Sequence, residues 1–356
     1  MIKLDTPTPK DIPRLVSVVI CTYNGARYLH PTIDSVLAQT YAPIEVIVVD
    51  DGSRDDTWAV LQSYGDRIKA IRQTNGGIPV ARNTGLSHAR GEFIALMDHD
   101  DLCMPERIAV QVALMDQQAE VDLCCTEFSA FNAQGPIASR YSGIYYSQCA
   151  AAAGGVARHF QHRGQLDIAP FTTSMKADTA QVPVYIGQVY DALACGNFVH
   201  PPTVLFRAKL LDKVGGFEPA TRMICDWYWL VHAAKVATFA CIDYPLLDYR
   251  RSDTQVSGNT PSARIDTLHV AERIVADDPD LWQRQRPALQ AMLAEATLDV
   301  AYAYASTRPW FSIGLLLKTA LHYRTVNGWS MRALAKALTP DAILSSVRRS
   351  RATPGQ

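Results

Sequence analysis

No apolar run in this sequence is long enough to cross a bilayer; Phe311 to Leu317 is too short, and Lys318 follows it. Residues 1–13 are polar and proline-rich, unlike a secretory leader, and a cytoplasmic protein is expected. Net charge is also nearly absent: 34 Lys and Arg against 35 Asp and Glu give −1, which argues against nucleic acid as a main partner. No C-x-x-C pair occurs among the eight cysteines (Cys21, Cys103, Cys124, Cys125, Cys149, Cys195, Cys225 and Cys241). That scatter indicates reduced, mostly buried thiols and excludes a disulfide frame or a zinc site. No G-x-G-x-x-G follows the first strand, which excludes the usual dinucleotide fingerprint. What is present is a chain 48% apolar and 19% charged, suited to one large folded domain or two smaller ones.

Strand-like and helix-like segments alternate through the first part. Leu15 to Cys21 is a β-branched run broken by Thr22-Tyr23-Asn24-Gly25, and Leu29, Ile33, Val36 and Leu37 then share a helical face, with Pro31 expected in the first turn. Ile44 to Val49 ends at Asp50-Asp51-Gly52-Ser53. Ile68 to Ile71 leads to Asn75-Gly76-Gly77 and a helix through His88, and Leu123 to Phe128 reads as a later strand. The run Phe93 to Met97 stops at Asp98-His99-Asp100-Asp101, three carboxylates in four positions. Like charges 4 Å apart in a partly shielded site repel by about 4 kcal/mol. Such a cluster is stable if its side chains diverge into water, or if a hard cation, Mg²⁺ or Mn²⁺, sits among them. Repeated β-α-β units give a mostly parallel sheet, and ligands bind beyond the carboxyl ends of its strands. Three polar loops should therefore meet on one rim.

In order along the chain, the residues Val18-Val19-Ile20-Cys21-Thr22-Tyr23-Asn24, Val48-Val49-Asp50-Asp51-Gly52-Ser53, Asn75-Gly76-Gly77 with Ala81-Arg82-Asn83, and Asp98-His99-Asp100-Asp101 resemble those of the inverting family 2 glycosyltransferases. The series continues through Met104-Pro105 and His200-Pro201 to Gly215-Gly216-Phe217 and Asp226. The resemblance implies an α/β GT-A fold and transfer of a sugar from a nucleotide-diphosphate donor to a hydroxyl acceptor, a glycan or a lipid-linked glycan, in polysaccharide, lipopolysaccharide or glycolipid assembly. It also implies site residues: Thr22, Tyr23, Asp51, Asn75, Gly77, Arg82, Asp98 and His99 around the nucleotide sugar, Asp100 with Asp98 on Mn²⁺ or Mg²⁺, and Asp226 as catalytic base. Cys225 stands where the family usually has Glu. The Q-x-x-R-W motif of processive synthases is not evident, so a single-addition transferase is expected.

Alternatives stay open at this level. Asp226 equally suits a helix N-terminus, Arg82 a helix surface, His200 a structural or donor-side role, and Trp227, Tyr228 and Trp229 either sugar stacking or the core. Arg250 and Arg251 suit a phosphate contact or plain surface charge. A nucleotidyltransferase shares the acidic loops but needs a basic Gly-rich loop where Cys21-Thr22-Tyr23-Asn24 stands. A non-catalytic sugar-nucleotide or glycan-binding protein is the third reading.

The expected organisation is a tail over 1–14, a GT-A domain over 15–259 with an insertion or acceptor-side cover at 134–194, and a helical region over 260–356. In that last region Leu289, Met292, Leu293, Ala296 and Val300 form one apolar face, and Met331, Leu334, Ala335 and Leu338 another. Arg332, Lys336, Arg348, Arg349 and Arg351 interleave with apolar residues, a pattern that suits contact with an anionic membrane surface or a solvated helix face.

Overall fold

Burial on both faces is what a run such as Val-Ser-Val-Val-Ile requires, and residues 16–22 meet it as β1 (Val16–Thr22). It pairs in parallel with β2 (Ile44–Asp50) on one side and β4 (Phe93–Asp98) on the other; Val16 lies opposite Ile44 and Phe93, and Cys21 opposite Asp98. β3 (Lys69–Arg72) continues the parallel set beyond β2. This register brings Thr22, Asp50 and Asp98 to one end of the sheet. The computed structural model describes residues 14–146, 155–171, 181–252 and 260–339.

Three helices make the crossovers: α1 (Ala26–Leu37), α2 (Thr57–Gln62) and α3 (Ile78–His88). α1 buries Leu29, Ile33 and Val36, as its periodicity predicts, although Pro31 falls in the second turn because the helix begins at Ala26. α3 lies close on the sheet, since a Cβ at Gly85 would stand 2.4 Å from Val19 Cγ1.

The chain then runs through β5 (Leu102–Cys103), α4 (Arg107–Gln117), β6 (Val121–Asn132), β7 (Gly135–Ala138), α5 (Ser142–Tyr145), β8 (His162–Asp167), β9 (Gln181–Gly187), α6 (Tyr190–Ala194), β10 (Leu205–Arg207), α7 (Leu210–Val214), α8 (Cys225–Ala234) and β11 (Thr238–Arg250). The sheet order is β3-β2-β1-β4-β10-β6-β11-β9-β8, with β5 on β11 and β7 on β6. β10 is inserted antiparallel between β4 and β6, whereas β11 runs parallel to β6. Because β10 runs against β4, the chain just ahead of it, His200 to Val204, lies at the carboxyl end of β4. Arg107 pins this arrangement from below. Fully buried, it donates to the carbonyls of Leu96 and Val204 at 3.2 Å each and to Gln111 at 3.0 Å. Neutral oxygens thus carry the desolvation cost of a buried cation.

The 134–194 stretch, expected as an insertion or cover, contributes two antiparallel strands, β8 and β9, to the sheet edge through β11. β9 does alternate, burying Val182 and Val184, but β8 exposes nearly every residue, so its pattern carries no strand signal. Trp227, Tyr228 and Trp229 are all buried in α8, with Trp227 Nε1 donating to Leu193 O and Trp229 Nε1 to Gly215 O; their place is the core.

The chain divides into two compact units, Met1–Gln255 and Val256–Gln356. The second contains α9 (Pro261–Ala276), α10 (Pro279–Tyr304), α11 (Pro309–His322) and α12 (Gly328–Leu338). Thr260, Asp278 and Asn327 cap α9, α10 and α12 through side-chain oxygens. α10 buries Leu289, Leu293, Ala296 and Val300 as expected. α12 does not follow its pattern: it buries Ala333, while Met331, Ala335 and Leu338 are exposed. The expected basic residues Arg348, Arg349 and Arg351 lie outside the described residues, as does Cys149.

Gly91 tests the strand spacing. A Cβ there would stand 2.6–2.7 Å from Leu15 O, Phe93 O and Ser17 N, all backbone atoms. Gly91→Ala should cost about 1–3 kcal/mol in urea denaturation; an unchanged midpoint would show that β1 and β4 tolerate the displacement.

Candidate active site

Asp51 follows β2 and organises the neighbouring loop. One carboxylate oxygen accepts from Gly76 N and Gln73 Nε2, the other from Gly77 N, all at 2.8 Å. Asn75 Nδ2 donates back to Asp51 O at 2.9 Å. Gly77 sits at φ +86°, a conformation glycine adopts without strain, and the loop leads directly into α3. The Asp51 charge therefore lies at a helix N-terminus, where it is favoured. Three hydrogen bonds leave about one of the four acceptor positions of a carboxylate for another donor.

The acidic turn does not gather around one point. Asp98, at the end of β4, pairs with Arg82 at 3.0 Å. Asp101 turns inward, is fully buried, and accepts from Arg250 N at 2.9 Å. Burial, followed by the charges of Asp100 and Asp98, pushes its carboxyl well above the usual carboxylate range. Asp100 is half-buried, with its carbonyl accepting from Arg250 Nε at 2.7 Å. Arg250 braces the turn and its guanidinium lies over the rings of Tyr28 and Phe131.

Arg82 joins the two halves of the rim. It is 5% exposed, and besides Asp98 it pairs with Asp226, in the first turn of α8. Its guanidinium lies over Phe217 at 5.4 Å and donates to Cys225 Sγ at 3.8 Å. Burial alone would lower the Arg82 pKa, but Asp98, Cys225 and Cys21 outweigh it and the net shift is upward. The next residue, Asn83, fastens the Gly215-Gly216-Phe217 turn to α3 by two reciprocal hydrogen bonds of 2.7 Å with the Phe217 backbone. One face of α3 thus holds the end of β4 and the start of α8. Asp226 is not the N-cap of α8, a position Ile224 occupies, and the surface-arginine alternative for Arg82 is excluded.

The remaining expected residues sit beside β1. Thr22 is buried and its Oγ1 has no hydrogen-bond partner, while Tyr23 is exposed. The His99 ring rests against Gly25, where a Cβ would stand 2.7 Å from His99 Cδ2 and 2.2 Å from Thr22 Oγ1. Phe128, Tyr145 and Tyr249, which sequence reading missed, surround His200 with Tyr146; Phe128 stacks on its ring at 4.2 Å, and Tyr141 packs behind them on Phe128, Tyr145 and Tyr249. The signal was the antiparallel β10, which cannot be read from three residues. Tyr146 hydroxyl lies 3.2 Å from both His200 Nδ1 and Val199 O, and His200 Nε2 is buried without a partner.

Among the described residues no group of three or more His, Cys, Asp or Glu side chains is arranged to hold a metal ion. Asp98 is engaged by Arg82, and Asp100 is the half-buried carboxylate beside it.

Residues 17–165 match the model of glycosyl transferase family 2. That match takes in less than half of the chain. An uncharacterized glycosyltransferase of Rickettsia typhi is 44% identical over 109 residues, covering 31% of this chain and 34% of that one. Chondroitin synthase of Escherichia coli is 33% identical over 165 residues, 45% of this chain and 24% of that one. The match thus spans about a third or less of these relatives' length. Among solved structures, S. aureus TarS 1-349 in complex with UDP has a TM-score of 0.53 at 17% identity, with 94% of this chain and 91% of that one covered. The mannosyltransferase PcManGT from Pyrobaculum calidifontis, in complex with GDP-Man and Mn²⁺, has a TM-score of 0.51 at 18% identity, covering 94% and 90%. The fold these likenesses show is GT-A.

The aromatic enclosure of His200 has a measurable consequence. Burial, with the Arg107 charge adding and the Asp98 charge opposing, lowers its pKa from 6.5 to about 4. Between those values the unfolded chain takes up a proton that the folded chain refuses, so His200 lowers stability as pH falls through that window and has no such effect above it. Stability should drop less from pH 7 to pH 5 in His200→Gln than in the wild type; equal losses in both would contradict a neutral His200.

Proposed function

We propose that this protein transfers a glycosyl group, with inversion, from a nucleoside-diphosphate sugar to a hydroxyl acceptor, a glycan or a lipid-linked glycan, during polysaccharide, lipopolysaccharide or glycolipid assembly. The observation that carries this reading is Arg82, which ties a carboxylate on the nucleotide side, Asp98, to one on the acceptor side, Asp226. Both kinds of solved neighbour support a nucleotide-sugar donor, since TarS has been solved with UDP-GlcNAc and PcManGT with GDP-Man. The chondroitin synthase relative supports polysaccharide as the setting. Seven free thiols among the described residues accord with a cytoplasmic compartment.

We assign the roles from the motif resemblance. Asp51, Asn75 and Gly77 shape a loop that takes the nucleoside, with the remaining acceptor position on Asp51 suited to an imide N–H or a ribose hydroxyl. Thr22, Tyr23 and His99 border the base and ribose. Asp100, with Asp98 beside it, would hold Mn²⁺ or Mg²⁺, which when bound neutralises charge on the leaving diphosphate. Asp226 takes the proton of the acceptor hydroxyl as its oxygen attacks the anomeric carbon and the bond to the diphosphate breaks on the opposite face. A carboxylate paired with guanidinium is a weak base. Proton transfer therefore requires Arg82 to turn from Asp226 toward the larger negative charge of the diphosphate. Cys225, in place of the family's Glu, leaves a soft sulfur contact on Arg82 where a second carboxylate would compete for it.

Asp226→Asn should leave nucleotide binding by calorimetry unchanged and lower turnover by about 10²–10⁴-fold. Near-normal turnover would remove Asp226 as base. A panel of nucleotide sugars with Mn²⁺ or Mg²⁺ checks the reaction itself: release of nucleoside diphosphate supports transfer. Pyrophosphate from a triphosphate and a sugar phosphate would support a nucleotidyltransferase, and binding without turnover a non-catalytic protein.

A further inference from the structure

Several large apolar side chains of the second unit are exposed, among them Trp310, Leu317, Leu321, Met331 and Leu338. Along α11, Trp310, Gly314, Leu317 and Leu321 follow one another at i, i+4, i+7 and i+11, and all four are exposed. Trp310 is 83% and Leu321 79% accessible. The helix nevertheless packs properly on its other side, where Ser312, Leu316 and Thr319 are buried and Ser312 Oγ donates to Ala301 O at 2.7 Å. α12 repeats the arrangement with Met331, Ala335 and Leu338 at i, i+4 and i+7 outside and Ala333 inside. Scattered apolar residues on a surface need no explanation, whereas two helices each carrying an outward apolar stripe do.

Charge identifies what the stripes meet. Between Asp299 and Asp341 the sequence contains no Asp or Glu at all, but five Arg and Lys. Arg308, Arg324 and Arg332 are exposed beside the stripes, and Lys318 reaches sideways to Glu272 at 2.6 Å. Trp beside Leu with flanking cations is the composition of helices that lie in the headgroup region of an anionic bilayer. Among the described residues no helix is long and apolar enough to cross one. A second copy of the chain is a poorer occupant, because pairing two such faces would set like charges against each other with no carboxylate between them.

We propose that the exposed faces of α11 and α12 dock on an anionic lipid surface, Trp310, Leu317 and Leu321 entering the acyl boundary and Arg308, Arg324 and Arg332 meeting lipid phosphates. This site is independent of the catalytic reading above and extends contact to residues 308–338, ahead of the basic tail. It gives the enzyme a fixed address at the layer where lipid-linked acceptors reside.

The test is co-sedimentation of the full chain with phosphatidylcholine vesicles, with or without phosphatidylglycerol. The wild type should pellet with the anionic vesicles, and high salt should release much of it. Leu321→Glu with Trp310→Ser should weaken partitioning at least about tenfold, and Arg324→Gln or Arg332→Gln about fivefold each, with a shallower salt dependence. These positions are exposed, so the variants should keep the wild-type circular dichroism and melting temperature. Equal recovery in the supernatant with both vesicle types would overturn the proposal, as would variants that bind like the wild type. Concentration-dependent dimers abolished by Trp310→Ser would instead assign the face to a second copy. Because vesicle binding is read without substrate, its failure leaves the transferase reading untouched.

Discussion

The architecture of the rim depends on one buried cation. Arg82 lies between the carboxyl end of a central strand and the first turn of a helix more than a hundred residues later, and pairs with a carboxylate from each. Without it, Asp98 and Asp226 would face one another in a partly desolvated cleft with nothing to separate their charges. Its stem is held by α3, which the tight approach at Gly85 fixes on the sheet, and its guanidinium plane rests on Phe217. The geometry of the site is therefore set by helix packing and inherited by the charges.

The acidic turn shows how a fold can keep several carboxylates together without a many-liganded metal. Each is given a different fate: Asp98 an arginine, Asp101 burial and a backbone N–H, and Asp100 a half-buried place with its carbonyl held by Arg250, while Asp51, after β2, is taken up by two glycine amides and an amide side chain. The repulsion that the sequence suggests is thus dispersed before any ligand arrives.

Much of this was legible in the residues. The alternation of buried strands with amphipathic helices, and the polar residues just after β1, β2 and β4, located the rim, because strand ends are marked by abrupt changes of polarity. Arg82 was visible as a candidate, but its partnership with Asp226 was not, since it joins segments whose contact depends on how the Gly215-Gly216-Phe217 turn folds onto Asn83. β8 carried no pattern because an edge strand exposed on both faces needs none. The role of Arg250 was hidden because its partners come from a turn far away in sequence. α12 misled for the opposite reason: its periodicity is real, but the stripe faces outward, and periodicity alone does not say what a face meets.

The two proposals thus rest on separate physical bases, charge pairing in the first unit and exposed apolar stripes in the second. The central claim is that Arg82 and Asp226 work as one unit. It is tested most directly by a double-mutant cycle on nucleotide-sugar turnover with Arg82→Gln, Asp226→Asn and both together. Groups that act together give non-additive losses, so the double variant should be little slower than Asp226→Asn alone. Fully additive losses would contradict the account.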